Sequence, residues 1–560
     1  MYPQAIFLPG THPKRLRFST SCYLISLLLG ACSLTVQAEP ALTDTAQIEL
    51  GRRIYVEGIL PSSEHLKGNR LDSEQIEGAP AACETCHRRS GMGSVEGGII
   101  ATPITGKFLF HTKDDHPLAL LDISAARNIT KISDPYTEES FVKALREGVK
   151  VNGQKLNPLM PKYDLNDNEI KAVIAYLKQL SAELSPGVGA DTLHFATILT
   201  PGVDEKKADV MVKMMRMAFT QRNATQESGS GRMRMPLDLL PRTLRRWELS
   251  VWELKGDPAS WPDQLKEFNR KEPVFAVISG LSNSTWQPVH EFCQQEKLPC
   301  LLPSLTLPPQ EKDYYSLYYS RGVVLEADVL AKYIREQDKK APKRLIQVYQ
   351  DNEAGRGAAQ ALSEALKGST IKVENRLLHN NQTADLKVAL KGLTKTDGLM
   401  LWLSPTELAA LTKAQPKPIS AATYVSGFLA EDNYVDMPKE WKSHVMVIYP
   451  YELGNKRDKN LLTVRKWLEA WQIPLIDEIF QSEVFFNVLF LTDLSSQMLD
   501  NLYRDYLVER AEDMLSTGSN VSAYPNLSLA RNQRFASKGA YIAKLTKDGK
   551  LTPDSEWIIP

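Results

Sequence analysis

The hydrophobic pattern of the chain changes near residue 190. Beyond this point, short apolar runs alternate with longer stretches whose apolar residues recur at helical spacing. Four such runs are LHFATIL (193–199), VFAVISG (274–280), RLIQVYQ (344–350) and GLMLWLS (398–404). This alternation predicts parallel β-sheets covered by helices. About 370 residues exceed the usual size of one such domain, so we expect two lobes.

The pattern before residue 190 is helical. Asn166 and Glu169 have the spacing of a capping box, and apolar residues then recur every three or four positions. These apolar residues are Ile170, Val173, Ile174, Leu177 and Leu180. They predict an amphipathic helix. Small residues and proline follow it and predict a linker at 185–191 between two kinds of domain.

The N-terminus has the pattern of an export signal. Basic residues at 14–17 precede an apolar stretch at 23–36 that is short for a membrane span. Three ways of processing this segment remain as alternatives. The first is cleavage after Ala38, which gives a signal peptide of residues 1–38; the second is lipid attachment at Cys32 in LGAC; the third is an uncleaved anchor. We expect a bacterial periplasmic protein, either free or tethered to the membrane by a lipid at Cys32.

The charge balance narrows the class of partner. Lys+Arg and Asp+Glu both number 67, so the formal net charge is zero. Proteins that mainly bind nucleic acid usually carry a basic surplus. We therefore expect no nucleic-acid partner.

Cys83, Cys86 and His87 form a C-x-x-C-H motif. Zinc, a redox dithiol and covalent haem attachment all use two cysteines at this spacing. Zinc needs further ligands, yet the next cysteine after this motif is Cys293. A redox dithiol would follow a strand, whereas the residues before Cys83 read as a polar loop. In an exported chain the motif predicts one covalent haem c, with His87 bound to the iron.

Met160 is the predicted second axial ligand of the iron. It lies between Pro158 and Pro161, which restrict the backbone of its loop, and it precedes the predicted amphipathic helix. The alternative ligands are Met92, His111 and His116, which are mostly explained as loop residues.

Residues 43–184 resemble the class I c-type cytochromes. TAQIELGRRIYVEG (45–58) is similar to their first helix, in which Gly51 would allow a close crossing with the last helix. Tyr55 and Tyr176 would pack at that crossing. The resemblance implies an all-α cytochrome c fold that carries electrons between periplasmic redox partners. With both axial positions filled, the iron would have no vacancy for a substrate, so we expect a carrier rather than an enzyme.

Residues 192–560 resemble the type I periplasmic solute-binding proteins, particularly receptors for branched-chain amino acids and amides. VISGLSNST (277–285) and LPSLT (302–306) are similar to turns that open onto the ligand, and DNEAGRG (351–357) is similar to the start of the second lobe. The resemblance implies a two-lobed α/β fold and a small-molecule ligand such as an amino acid or amide.

Five hydroxyl residues in these turns are predicted to bind a ligand carboxylate. Hydroxyls and N–H groups at helix N-termini favour an anion there. The candidates are Ser282, Ser284, Thr285, Ser304 and Thr306. Ordinary helix capping is the alternative explanation for each. Ala354 stands where many relatives carry an aromatic residue, which argues against an amino acid as the ligand.

Cys293 and Cys300 are predicted to lie at the end of one helix and the start of the next strand. In an oxidising compartment they would form a disulfide, and two buried thiols are the alternative.

Two functional hypotheses follow. The first is an exported electron carrier whose solute-binding-like domain recognises a small ligand or docks a redox partner. The second is a substrate-binding or sensing receptor of an ABC-type transport system, with an auxiliary haem. A true oxidoreductase is disfavoured because both axial positions of the iron would be filled.

Overall fold

The computed structural model describes residues 44–71, 73–111, 134–230, 245–337, 341–379, 383–420, 422–434, 437–516 and 521–560. The predicted signal peptide, Cys32 and His116 lie outside these residues. Residues 44–560 form one compact unit. None of the described helices has the length and apolar character needed to cross a bilayer.

The N-terminal region is mainly helical, as predicted. Its described α-helices are Asp44–Arg52, Glu84–His87, Gly106–Leu109, Glu138–Glu147 and Asp167–Gln179, and a π-helical turn at Arg53–Glu57 and a 3-10 turn at Ala79–Ala81 accompany them. Two small antiparallel sheets accompany them. One contains Lys67–Arg70, Glu74–Glu77 and Lys162–Tyr163, and the other pairs Ser94–Glu96 with Ile99–Ala101.

The first and last helices of this region cross in close contact, which confirms the prediction for Gly51. A Cβ atom at Gly51 would lie 2.0 Å from the carbonyl oxygen of Ala172, so only glycine allows the two backbones to approach this closely. The rings of Tyr55 and Tyr176 pack at the same crossing, with centroids 5.3 Å apart. The predicted capping box also begins the last helix: Asn166 accepts from the Glu169 N–H.

The first lobe of the α/β region contains a five-stranded parallel sheet. In spatial order its strands are Ser316–Leu317, Cys300–Leu301, Ala276–Ile278, Thr192–Leu199 and Arg246–Glu253. Helices Glu205–Ser230, Trp261–Lys271 and Gln287–Gln295 alternate with these strands along the chain. Two later helices return to this lobe. We call Glu478–Met498 the cleft helix and Arg504–Met514 the interface helix.

The second lobe contains a seven-stranded sheet. Its spatial order is Lys372–Leu378, Arg344–Gln350, Gly398–Trp402, Ala422–Ser426, Val445–Tyr449, Tyr541–Leu545 and Leu551–Pro553. The first five strands are parallel and the last two antiparallel. Its helices are Val323–Glu336, Glu353–Ala365, Thr383–Ala389, Pro405–Ala414, Gly427–Ala430, Lys439–Lys442 and Gly454–Ala470. The predicted alternation therefore produces two sheets in two lobes.

The N-terminal region shares a hydrophobic core with the α/β region. Met92 and Phe108 are 1% and 7% exposed, and they belong to the same buried cluster as Phe275 and Leu301 of the first lobe. The two predicted domains are thus packed together through apolar side chains as well as polar contacts.

Cys293 and Cys300 are joined by a disulfide in this structure, with Cα atoms 6.2 Å apart. The bond connects the helix Gln287–Gln295 to the strand Cys300–Leu301. It ties one corner of the first lobe, at the position that the helix-to-strand pattern predicts.

Candidate functional site

Cys83, Cys86 and His87 lie on one helical turn. The Cys83 carbonyl oxygen accepts hydrogen bonds from the N–H groups of Cys86 (3.2 Å) and His87 (2.9 Å). Both cysteines are free thiols, and Cys86 is exposed. Burial raises the pKa of Cys83 to about 12, which keeps its thiol neutral. A single turn thus offers two thiols, which covalent attachment to a porphyrin requires, and an imidazole that can bind its iron.

His87 has a fixed orientation. Its side chain is buried, and its Nδ1 lies 2.9 Å from the carbonyl oxygen of Thr102. Because a carbonyl only accepts hydrogen bonds, Nδ1 carries the proton and Nε2 keeps its lone pair for a metal. Burial lowers the pKa of His87, which further favours the neutral imidazole.

A cavity of about 350 Å³ connects this turn to Met160. Cys86, His87 and Met160 all line it. Its remaining wall is largely apolar and includes Ile99, Ile100, Pro103, Ile104, Phe108, Leu109, Phe141 and Leu145. An apolar cavity whose wall contains a thiol, an imidazole and a thioether fits a haem c by its donor chemistry.

Hydrogen bonds hold the loop that contains Met160. The side-chain oxygen of Asn157 accepts from the Leu159 N–H at 3.0 Å, and the main-chain carbonyl oxygen of Asn157 accepts from the Met160 N–H at 2.8 Å. The Pro158 carbonyl oxygen accepts from the Leu71 N–H at 2.9 Å. The loop is thereby tied to itself and to the small antiparallel sheet, which positions the Met160 side chain.

The alternative ligands lie elsewhere. Met92 is 1% exposed and belongs to the core shared with the first lobe. His111 is exposed. Neither belongs to the described wall of the cavity. Of the described candidates, Met160 alone shares the cavity with His87.

The residue that follows His87 is buried against the α/β region. Arg88 forms an ion pair with Glu512 of the interface helix, and Arg534 pairs with the same carboxylate at 2.7 Å. The three side chains are 4%, 2% and 1% exposed. This buried triad joins the segment after the C-x-x-C-H motif to two segments of the α/β region that lie more than 400 positions further along the chain.

Further contacts strengthen the same interface. Ser90 donates to Glu509 through its N–H at 2.8 Å and through its Oγ at 2.5 Å. Burial raises the pKa of Glu509 to about 8. The Arg89 guanidinium lies over the ring of Tyr314, 4.7 Å from its centroid. The segment after the C-x-x-C-H motif is therefore held by charge, hydrogen bonds and an aromatic ring.

Arg531 contacts the motif itself. Its guanidinium donates to the carbonyl oxygen of Glu84 at 2.8 Å and also to that of Thr85. The described part of the α/β region thus contacts the C-x-x-C-H turn itself at Glu84 and Thr85, and also the residues that follow the turn.

A second cavity of about 380 Å³ lies between the two lobes, and we call it the cleft. Among the predicted ligand-binding residues, Ser282, Ser304 and Thr306 line it. Ser284 and Thr285 are outside the described lining, and the Ser284 carbonyl oxygen accepts from Ser282 Oγ at 3.1 Å. The turn at 282–285 therefore bonds partly to itself.

Sequence reasoning missed Glu483, a buried carboxylate in the wall of the cleft. It lies on the cleft helix, is 4% exposed, and accepts from Ser304 Oγ at 2.5 Å and from Tyr524 Oη at 3.0 Å. Burial raises the pKa of Glu483 to about 7. A signal existed in the sequence: Glu483 and Asn487 are polar residues one turn apart in the otherwise apolar run EVFFNVLFL.

Lys207 bridges other acidic groups of the cleft. Its Nζ lies 2.8 Å from Asp477 and 3.2 Å from Glu431. Asp477 also begins the cleft helix by accepting from the Phe480 N–H at 3.0 Å. These ion pairs occupy the ammonium group of Lys207.

Aromatic rings form a continuous row along the cleft. Centroid separations are 5.7 Å for Phe428 and Tyr451, 5.1 Å for Tyr451 and Tyr524, and 5.1 Å for Tyr524 and Tyr319. All four residues line the cleft. They give the cleft an aromatic wall beside Glu483.

Comparison with known proteins separates the chain into two parts. Residues 78–181 match the family model described as Cytochrome c. None of the curated proteins matches the chain. A cytochrome c domain implies a covalently bound haem c, and the donor set around the first cavity fits that group.

Solved structures resemble the α/β part. A branched-chain amino acid ABC transporter from Thermus thermophilus with bound valine superposes with a TM-score of 0.50 at 9% identity, over 66% of this chain and 97% of that chain. An ABC transporter substrate-binding protein from Aeropyrum pernix superposes with a TM-score of 0.49 at 14% identity, over 66% and 97% respectively. At 9% identity the likeness to the Thermus thermophilus protein shows the fold alone. The chain thus contains a cytochrome c domain at residues 78–181, followed by an α/β region with the fold of type I periplasmic solute-binding proteins.

Proposed function

We propose that this chain is an exported electron carrier with one haem c, attached through Cys83 and Cys86 and ligated by His87 and Met160. The observation that carries the proposal is that Cys86, His87 and Met160 line one apolar cavity within the cytochrome c domain. A haem in such a setting supplies the reversible one-electron chemistry of its iron.

The protein groups around the cavity suit a carrier. Thr102 fixes the tautomer of His87, and the hydrogen-bonded loop holds Met160 in place. With His87 and Met160 both bound, the iron would have no coordination position for a substrate, which favours electron transfer over catalysis. The apolar wall limits the access of water, and this raises the cost of the oxidised, more charged state.

A periplasmic location is part of this proposal. Covalent haem attachment to a C-x-x-C-H motif is expected of exported chains, and residues 1–38 have the pattern of a signal peptide, with lipid attachment at Cys32 as the alternative. The electron donor and acceptor would then be periplasmic redox partners.

The α/β region would bind a small molecule in the cleft. Support comes from its position between two lobes and from its mixed polar and aromatic wall. The same cleft favours the second candidate function, a substrate-binding or sensing receptor of an ABC-type transport system in which the haem is auxiliary.

The axial ligand is tested with two matched variants of the full-length, haem-loaded protein. Met160→Leu should remove the charge-transfer band of methionine-ligated ferric haem and lower the reduction potential, because the thioether stabilises ferrous iron. Met92→Leu changes the other methionine candidate and should leave both properties unchanged.

Two results would contradict the carrier proposal. A Met160→Leu protein with the wild-type band and potential would show that the second ligand is another residue. A wild-type protein that loses its pigment to acidified acetone would show that the thiols hold no haem covalently.

A further inference from the structure

Two of the five hydroxyl groups predicted to receive a ligand carboxylate, those of Ser282 and Ser304, already bind protein acceptors or donors. Ser304 Oγ donates to Glu483 at 2.5 Å. Ser282 Oγ accepts from Thr200 Oγ1 at 2.9 Å and donates to the Ser284 carbonyl oxygen at 3.1 Å. The Ser304 N–H is also used, by the carbonyl oxygen of Gly280 at 2.9 Å. A carboxylate placed beside Ser304 would meet Glu483 instead of a free donor.

The charge of the cleft has the opposite sign from that of an anion receptor. The charged residues of its described wall are Asp204, Lys207, Glu431, Asp477 and Glu483. Four are carboxylates, and the single ammonium, Lys207, is paired with two of them. Glu483 receives hydrogen bonds only from hydroxyl groups among the described residues. A second anion would therefore be disfavoured, whereas a cation would stabilise the charged form of Glu483.

The aromatic row adds a second preference for positive charge. Tyr524 donates its hydroxyl to Glu483, and its ring stacks on Tyr319 and contacts Tyr451. The faces of tyrosine rings attract cations, most strongly where water is excluded. Carboxylate and π-faces thus converge on one part of the cleft.

We propose that the cleft binds a small organic cation that bears an ammonium group and lacks a carboxylate. The ammonium group would donate to Glu483 beside the ring of Tyr524, and the apolar part of the ligand would lie along Tyr451 and Phe428. This inference rests on the proposed ligand-binding function of the cleft, and it replaces the amino acid or amide that the resemblance implies with a different class of ligand.

Isothermal titration calorimetry of the full-length, haem-loaded protein would test it with two sets of matched compounds. One set is valine, isobutylamine, which lacks the carboxylate of valine, and 3-methylbutanoate, which lacks the ammonium. The other is phenylalanine, phenethylamine and 3-phenylpropanoate. We expect at least one of the two amines to bind. Its affinity should be about tenfold or more higher than that of the amino acid and of the carboxylate in the same set. Neutral 2-phenylethanol, compared with phenethylamine, isolates the contribution of the charge.

A pair of variants locates the effect. Glu483→Gln keeps a hydrogen-bond acceptor but removes the charge, and should weaken amine binding about tenfold or more. Glu509→Gln is the matched control, because Glu509 is also a buried carboxylate bonded to a serine but lies outside the cleft. It should leave amine binding unchanged.

The outcomes distinguish this inference from the function on which it rests. If a zwitterion or a carboxylate binds as tightly as its amine, the cleft binds ligands and the inference about their charge is wrong. If none of the compounds binds, the ligand-binding function and the inference both fail. If the amines bind equally to wild type and to Glu483→Gln, the assigned position of the ammonium is wrong.

Discussion

Glu512→Gln offers the sharpest test of the buried contact between the cytochrome c domain and the α/β region. The Glu512 carboxylate pairs with both Arg88 and Arg534, and it also accepts from the Asn532 N–H at 3.2 Å. Glutamine keeps the shape and one acceptor oxygen. The substitution removes the negative charge from between two guanidinium groups and turns one of the two acceptor oxygens into an NH2 donor.

The expected loss of stability is large because all three side chains are buried. Removing one partner of a buried ion pair costs about 3–5 kcal/mol, since an uncompensated charge remains out of water. The wild-type triad already carries two positive charges against one negative charge, so Glu512→Gln leaves two buried guanidinium groups with no carboxylate between them. We therefore expect Glu512→Gln to lower the free energy of unfolding by about 3–5 kcal/mol.

Urea denaturation of the haem-loaded protein can follow each side of the contact separately. All nine tryptophans lie after residue 192, so their fluorescence reports on the α/β region, and haem absorbance reports on the cytochrome c domain. We expect both midpoints to fall. Glu74→Gln, in an exposed pair with Arg70, is the control and should leave both midpoints unchanged.

A double-mutant cycle measures the interaction energy between Arg88 and Glu512 directly. Arg88→Met alone leaves Glu512 paired with Arg534, so the two substitutions should interact by about 0.5–3 kcal/mol. Strict additivity of Arg88→Met and Glu512→Gln would show that the two groups do not stabilise each other. An unchanged midpoint in Glu512→Gln would show that the triad contributes nothing to the contact.

Three further predictions concern single features of the fold. Gly51→Val should lower the free energy of unfolding by about 1–3 kcal/mol, because even a Cβ atom would lie 2.0 Å from the carbonyl oxygen of Ala172. A urea titration followed by haem absorbance measures this, and an unchanged midpoint would contradict the close helix crossing. Burial raises the pKa of Glu326 from 4.5 to about 8, so its stabilising contribution is complete below pH 4.5 and is lost as the pH rises to about 8. Glu326→Gln should remove that part of the pH dependence of the urea midpoint, and an unchanged slope would refute the assignment. Replacing Cys293 and Cys300 together by serine should lower the free energy of unfolding by about 2–3 kcal/mol. A reductant should lower the urea midpoint detected by tryptophan fluorescence in the wild type and leave that of the double variant unchanged. A shift in both proteins would show that the reductant acts at another site.

Local patterns predicted the parts of this molecule that depend on neighbouring residues. The C-x-x-C-H motif lies on one turn because its spacing is helical, and the Asn166–Glu169 box begins a helix because both groups lie within that helix's first turn. Gly51 required a family resemblance as well, because its partner Ala172 is distant in sequence.

The missed features depend on residues that are far apart. Arg88 and Glu512 are separated by 424 positions, and no periodicity relates them. Glu483 meets Ser304 only because the cleft helix returns to the first lobe. Sequence reasoning identified Ser304 as a donor but assigned it a ligand carboxylate, whereas the protein supplies a carboxylate of its own.

Met92 and Phe108 have a consequence for the ancestry of this chain. Two domains joined only by a linker can be recombined with other genes without compensating substitutions, because the surface of each domain is already polar. Here, side chains of the cytochrome c domain complete the core of the first lobe. If the cytochrome c domain were moved into another protein, its apolar side chains at this contact would be exposed to water. We therefore expect the two parts to have been inherited, and to have diverged, as a single unit.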